Sequence, residues 1–471
     1  MLPGKDNERL SEVYFIGIGG IGMSALARYF LSIGVKVSGY DRTESDLTSE
    51  LKAEGASIHF DEDLSFIPKV VDFVVYTPAI PEDHKELVFY FENNYRVYKR
   101  SDVLEAITSN AFNICTAGTH GKTTITTMIG HILRSSGYGC TAFLGGISVN
   151  YHTNFWKSDN GVCVIEADEY DRSFLKLRPA IATISAMDAD HLDIYGTEEA
   201  MQDAFVEFGN KIIEGGLLVS KFGLHRIKDV KASRKMSYSL QNDAADAYAM
   251  NIRIDEGTYH FDVQLKDKQV NGLELHIGGM HNIENAVAAI CVANELKIAE
   301  EEIKAAIKEF KGVKRRFEYI LPPVTQEEGT YIRPVLIDDY AHHPEELRAL
   351  ISSARSLFPK RVLTVVFQPH LYTRTRDLAD GFAESLSLAD RVILLPIYPA
   401  RELPIEGVSS KVILSKVNSS DKLLLTNEDL LGWIKDHMTK KDVHLGEVIL
   451  MAGAGNIDAM VPQVKKIIEK N

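Results

Sequence analysis

Three α/β domains in one chain are what this sequence predicts: a Rossmann-like N-terminal domain, a central P-loop ATPase-type α/β domain and a C-terminal Rossmann-like domain. Three observations carry that reading. A G-x-G-x-x-G run follows an apolar segment at 13–16, a G-K-T loop follows another at 112–115, and strand-like runs alternate with helical stretches after residue 318. The 471 residues and 45% hydrophobic content suit a globular chain of about three domains, with boundaries expected at 1–107, 108–317 and 318–471.

In the first domain, the strand at 13–16 feeds Gly17-Ile18-Gly19-Gly20-Ile21-Gly22, then helical periodicity over 23–33 and a second strand ending at Asp41. The glycines let backbone approach a pyrophosphate at a helix N-terminus, and Asp41 lies where a ribose-binding acid is expected. Such a fingerprint specifies a diphosphate-bearing ligand better than a nicotinamide, so NAD and a UDP-sugar both fit it. A strand at 73–76 ends in Thr77-Pro78-Ala79-Ile80, and 96–102, with Arg100 in it, reads as the domain's last edge.

The central domain opens on the strand at 112–115, the loop Thr116-Ala117-Gly118-Thr119-His120-Gly121-Lys122-Thr123-Thr124 and a helix from 122 to about 136. Glycines leave N–H groups free to face phosphate oxygens, Lys122 offers a point charge to the transferred phosphoryl, and the Thr123 hydroxyl can ligate magnesium. The common P-loop wants a glycine five residues before Gly121, where this chain has Thr116, so only the G-K-T end matches; G-K-T also occurs in surface turns. An apolar run at 162–165 then delivers Glu166, a Walker-B-like magnesium ligand, at a strand end. Asp168, Glu169 and Asp171 follow as an acidic cluster or a solvated turn. After a strand at 180–185, Asp188-Ala189-Asp190-His191-Leu192-Asp193 gathers carboxylates and an imidazole that suit a second metal or a surface loop. Short antiparallel strands at 260–265 and 273–277 precede a helix over 282–296. In the last domain, strands are expected at 335–337, 362–367, 392–395 and 448–451; Gly453-Ala454-Gly455 after the last would either meet a ligand or make a tight turn.

A formal charge of -14 argues against a general nucleic-acid or anionic-membrane surface, so anionic ligands must be held locally. Cys115, Cys140, Cys163 and Cys291 lack metal-type spacing and read as buried thiols in a reducing cytoplasm. The polar start, 1–12, lacks a signal-peptide core and no run approaches a spanning helix, so no membrane partner is expected.

Eight motifs in order resemble the Mur ligase family: G-I-G-G-I-G-M-S (17–24), G-T-H-G-K-T-T (118–124), E-A-D-E (166–169), D-A-D-H-L-D (188–193), H-N-I-E-N (281–285), R-R-F-E (315–318), D-D-Y-A-H-H-P (338–344) and Q-P-H-L-Y-T-R-T (368–375). They span essentially the whole chain and look most like the branch that adds L-alanine to UDP-N-acetylmuramate. The resemblance implies an ATP- and magnesium-dependent amide synthesis, with manganese as a substitute, in which the lactyl carboxylate takes the γ-phosphoryl of ATP and the L-alanine amine attacks the acyl phosphate. It assigns Lys122 to the β/γ-phosphates within the loop 118–124, Thr123 and Glu166 to magnesium, and His191 to a second metal. His281 and Asn285 match positions near adenine, while Arg316 and Asp339 match positions that close on the ATP. His342 and Arg374 match the alanine pocket, with Tyr340 as a wall and Arg374 as partner of the α-carboxylate. For the UDP-sugar, Gly19, Gly20, Ile21, Gly22, Asp41, Thr77, Ala79 and Arg100 are the expected contacts. The chain departs from some relatives at Leu371, where an additional arginine can occur, and it lacks a lysine from 192 to 210, where sister ligases carry a carbamylated one.

Three other readings compete. A recycling ligase that attaches an intact tripeptide is suggested by Tyr170; an NAD-dependent oxidoreductase would leave Lys122, Glu166 and His191 without a task; a non-catalytic nucleotide switch would not need the third domain. Domain order implies that the last domain closes toward ATP, and the chain is expected to be a monomer or weak homodimer.

Overall fold

The computed structural model describes residues 10–188, 192–324, 333–400, 402–438 and 446–470. The chain forms two compact units, one of residues 1–249, 263–270 and 284–307, the other of 250–262, 271–283 and 308–471. Among the described residues no helix is long and apolar enough to cross a membrane.

The first unit begins with β1 (Glu12–Ile16), whose residues are all buried, as a parallel strand covered on both faces requires. It continues through α1 (Ile21–Ser32), β2 (Lys36–Tyr40), α2 (Asp46–Ala53), β3 (Ser57–His59), β4 (Phe73–Tyr76), α3 (Lys85–Glu92), β5 (Val97–Lys99) and α4 (Arg100–Thr108). These strands are parallel in the order β3-β2-β1-β4-β5. Connections leave β1 toward β2 and return to β4 on its other side, so the glycine loop after β1 stands at the switch point where doubly wound sheets hold ligands. The stretch 96–102, expected as an edge strand, is strand only over Val97–Lys99. Asp102 accepts the Lys99 N–H at 3.1 Å and starts α4 at Arg100.

The central segment runs β6 (Phe112–Ala117), α5 (Lys122–Ser135), β7 (Thr141–Ser148), β8 (Thr153–Trp156), β9 (Val162–Glu166), β10 (Ile181–Ile184), α6 (Leu192–Tyr195), α7 (Glu198–Asn210), β11 (Leu217–Lys221), β12 (Arg234–Ser239), β13 (Ala247–Asp255), β14 (Thr258–Gln264), β15 (Gln269–Leu275), α8 (Met280–Glu295) and α9 (Glu300–Glu309). β6 lies between β10 and β9, parallel to both, and β7 follows β9 with β8 antiparallel to it. The β7–β8 hairpin packs on α1: Tyr29 meets Phe143 and Phe155 with ring centroids 6.0 and 6.1 Å away. Arg28, 5% exposed, binds Glu50 on α2, Glu54 just after it and, at 2.5 Å, Asn154 of β8. Asn154 in turn donates to Ile21 O at 2.6 Å and Ser24 Oγ at 2.9 Å, so the start of α1 is tied to β8. All four cysteines are free and buried, as their apolar surroundings implied.

The second unit contains β16 (Glu318–Leu321), β17 (Val335–Asp339), α10 (Pro344–Leu357), β18 (Val362–Phe367), α11 (Tyr372–Asp377), α12 (Ala379–Leu386), β19 (Arg391–Leu394), α13 (Ser410–Leu414), β20 (Asp421–Leu424), α14 (Asn427–Met438), β21 (Glu447–Ala452) and α15 (Val461–Lys470). Sheet order is β16-β17-β21-β18-β19-β20, parallel except for β16. The loops after β17, β18 and β21 therefore leave neighbouring strand ends. Of the two readings of Gly453-Ala454-Gly455, packing accounts for the glycines. A β-carbon at Gly453 would lie 2.7 Å from the Gln368 carbonyl, and one at Gly455 2.6 Å from Tyr398 Cβ.

Candidate active site

The phosphate loop is built on β6 and α5. Gly118 (φ +135) and Gly121 (φ +82) adopt conformations that side chains rarely take. A β-carbon at Gly118 would stand 2.7 Å from the Ala186 amide nitrogen, against the end of β10, and one at Gly121 2.9 Å from Asn285 Oδ1. Ser185 braces the cradle, donating its hydroxyl to Ala117 O at 3.3 Å and to His120 O. Thr119 and Thr124 are buried and His120 is exposed. Thr116 is fully buried inside β6, so the loop starts at Gly118 and needs no glycine at 116.

Lys122 Nζ lies 2.7 Å from Gly118 O and 2.6 Å from Glu169 Oε1. Glu169 is fully buried; burial pushes its carboxyl above the usual range, and the Lys122 ammonium opposes that rise. At the next residue of α5, Thr123 donates its hydroxyl to Glu166 Oε1 at 3.1 Å. The other Glu166 oxygen accepts the Gly145 N–H, also at 3.1 Å, and a β-carbon at Gly145 would overlap the carboxylate. Two oxygen donors thus converge beside a helix N-terminus, a donor set that fits magnesium, which takes one or two protein oxygens and completes its shell with phosphates and water. Among the described residues no group of three or more His, Cys, Asp or Glu side chains forms a metal cluster. His191 lies outside the described residues.

A cleft of about 300 Å³ opens in the same unit between the glycine loop and Glu166, lined by Gly20, Ile21 and Gly22 on one side and by Thr77, Ala79, Arg100 and Asp168. Arg100 Nη2 stands 3.5 Å from Asp168 Oδ2, and a side chain at Gly22 would meet the Arg100 guanidinium at 2.9 Å. Gly19 is held by Asp41: its N–H donates to Oδ2 at 2.7 Å, and the Thr43 N–H meets Oδ1 at 3.2 Å. Asp41 therefore braces the loop, a role besides the ribose contact expected of it.

In the second unit, Asp339 ends β17. Its Oδ2 accepts the Phe317 N–H and its Oδ1 the Ala341 N–H, both at 2.7 Å; burial raises its carboxyl to about 6. Arg316 is exposed between Arg315 (φ +60) and Phe317 (φ +46), while Arg315 turns inward to Asp458 at 3.0 Å and lies 4.9 Å from the Tyr340 ring centroid. The Tyr340 ring, half exposed, meets His342 edge-on at 5.2 Å. His342 Nδ1 lies 2.9 Å from Tyr340 O and 3.3 Å from Glu346. Arg374 sits on α11 after Leu371 (φ +68), and its Nη1 is buried without a hydrogen-bond partner. His281 is exposed on the first turn of α8; Asn285, on the same helix, belongs to the first unit beside Gly121.

Sequence reasoning missed Gly145, Ser185 and the pairing of Glu169 with Lys122. The E-A-D-E run held a signal for Glu169, but nothing in it distinguished the carboxylate that turns inward.

Family comparisons match residues 12–111 to "Mur ligase family, catalytic domain", 116–293 to "Mur ligase middle domain" and 315–455 to "Mur ligase, glutamate ligase domain". Among curated relatives, UDP-N-acetylmuramate--L-alanine ligase of Flavobacterium johnsoniae is 45% identical over 98% of this chain and 99% of its own length. The protein of that name from Parabacteroides distasonis is 46% identical over 99% of each. The crystal structure of the Thermotoga maritima UDP-N-acetylmuramate-alanine ligase superposes with a TM-score of 0.80 at 26% identity, covering 98% of this chain and 100% of that one. A murein peptide ligase from Psychrobacter arcticus shares the fold at TM-score 0.65 and 22% identity, covering 98% and 99% of the two chains.

Proposed function

The chain belongs to the Mur ligase family, and from that premise we propose that it joins L-alanine to the lactyl carboxylate of UDP-N-acetylmuramate at the expense of ATP, in peptidoglycan precursor synthesis in the cytoplasm. The observation that carries the reading is full-length similarity to proteins of that activity together with Lys122, Thr123 and Glu166 converging on one loop. The segments 1–107, 108–317 and 318–471 are our working division into UDP-sugar, ATP and amino-acid domains, supported by the three matched family segments.

A carboxylate is a poor acyl donor because an oxide must leave. In the proposed reaction a lactyl oxygen attacks the γ-phosphorus and ADP departs. The amine of L-alanine then attacks the acyl carbon, loses a proton, and inorganic phosphate leaves with the former carboxylate oxygen. The chain's share is alignment and charge neutralisation. Backbone N–H groups of 118–124 and the Lys122 ammonium receive the phosphates; Asn285 and His281 serve the adenine side, and Arg316 and Asp339 serve the nucleotide from the last segment. Thr123 and Glu166 would hold magnesium, or manganese, which neutralises phosphate charge, and His191 would serve a second ion. The glycine loop 19–22, Asp41, Thr77, Ala79 and Arg100 take the UDP-sugar in a cleft that also reaches Glu166. Tyr340 and His342 line the amino-acid site, and the buried, partnerless Nη1 of Arg374 supports a carboxylate-binding role, because a desolvated donor is costly until an anion meets it.

The test is phosphate release with ATP, magnesium and UDP-N-acetylmuramate, comparing L-alanine with L-alanyl-γ-D-glutamyl-diaminopimelate and weighing the product. Release dependent on L-alanine is expected; release only with the tripeptide would replace this reading with the recycling ligase.

A further inference from the structure

We propose that Glu169 is a positioning residue for Lys122, an anchor that fixes the direction of the ammonium within the phosphate loop; the inference rests on the reading of Lys122 as the phosphate-binding lysine. A lysine ammonium on a four-carbon stem does not choose one direction unaided. Here it has two acceptors, the Gly118 carbonyl and Glu169 Oε1, at 2.7 and 2.6 Å.

The anchor is itself immobilised. Glu169 is fully buried, whereas the side chain of Asp168 is 42% exposed, so only one of these neighbouring acids points into the protein. Its carbonyl accepts the Tyr195 hydroxyl at 2.6 Å and the Arg172 N–H at 3.0 Å. Asp171 and Arg172 then take left-handed backbone, φ +51 and +59, which non-glycine residues hold only where surrounding contacts enforce it. Ser173 Oγ and the Phe174 N–H close the turn on Asp168 O. A solvated acidic turn needs none of this. Glu169 Oε2 has no hydrogen-bond partner among the described residues, so Lys122 is the one side chain among them that the carboxylate binds, beside its own backbone N–H.

The expected consequence separates charge from shape. Glu169→Gln preserves size and one acceptor but removes the charge; Glu169→Asp preserves charge but leaves a gap. If Glu169 aims the ammonium through charge, kcat should fall at least tenfold in Glu169→Gln and less in Glu169→Asp. KM for ATP should stay within about threefold, since oriented backbone donors contribute to ground-state binding while precise charge placement matters most as the phosphoryl group transfers. Steady-state kinetics with L-alanine, alongside far-ultraviolet circular dichroism, reads both. The order wild type, Asp, Gln in kcat supports the proposal. A Gln variant near wild-type kcat, an Asp variant no better than Gln, or a Gln variant without folded signal overturns it in favour of a structural role. Failure of the wild-type control to release phosphate with L-alanine would overturn the proposed function itself, a result recognisable before any variant is measured.

Discussion

Gly145→Ala is the sharpest test of how the Glu166 carboxylate is placed. Gly145 lies in β7 with φ outside the left-handed region, so alanine suits the backbone and the perturbation is confined to the methyl group. The β7–β8 register shifts between Phe143 and Ser148, and the Gly145 N–H in that interval donates to Glu166 Oε2 at 3.1 Å. The methyl group would overlap the carboxylate, forcing Glu166 to give up that bond or leave its rotamer. Losing a hydrogen bond to a charged group costs about 1.5–3 kcal/mol, and an off-rotamer side chain about 0.5–1.5 kcal/mol. Either path moves the carboxylate by roughly 1 Å, a misplacement that can cost about 10²-fold in rate. L-alanine-dependent phosphate release across a magnesium titration should show kcat down by about that factor and the magnesium midpoint raised. A Gly145→Ala enzyme with kcat within about threefold of wild type and an unchanged midpoint would refute the assignment of Glu166 to the metal.

Lys122→Ala should abolish turnover while UDP-N-acetylmuramate affinity, measured by calorimetry, changes by less than about threefold, because the sugar cleft is lined mainly by the first sheet's loops; loss of both would contradict that division. Asn154→Ala removes a fully buried side chain that bonds Arg28, Ile21 O and Ser24, and should cost about 2–4 kcal/mol, read as faster hydrogen exchange in α1 and β8. Glu86 is fully buried, accepts the Tyr14 hydroxyl at 2.6 Å, and burial lifts its carboxyl from 4.5 to about 7. With the folded value raised, its stabilisation is complete below pH 4.5 and lost as pH rises through 7, a swing of at most about 3 kcal/mol. Glu86→Gln should therefore protect β1 from exchange better than wild type at pH 8 but not at pH 4; equal protection at both would defeat the reasoning.

What the sequence made legible was whatever one element expresses by itself. β1, β6, β9 and β18 are short, mostly apolar runs, and Glu166 is readable because it ends one of them. β7 escaped detection because Gly145 and Gly146 interrupt its apolar pattern, and Gly145 is there to admit the Glu166 side chain from the neighbouring strand. Glu169 escaped for a related reason: which acid of E-A-D-E faces inward is decided by a turn through left-handed Asp171 and Arg172, and no periodicity encodes that.

The loop's unusual spacing shows how local sequence and sheet register combine. A glycine at 116 would be wasted, since Thr116 is a buried strand residue paired in register with Glu166. That pairing extends β6 to the level of the carboxylate, so the chain must turn over fewer residues, and Gly118 at φ +135 makes the turn against the end of β10. The same register sets Glu166 beside the first turn of α5, where Thr123 reaches it at 3.1 Å. The short loop and the placement of the metal-binding pair are therefore one geometric fact: restoring the common spacing by insertion would move Lys122 and Thr123 away from both acids that hold them.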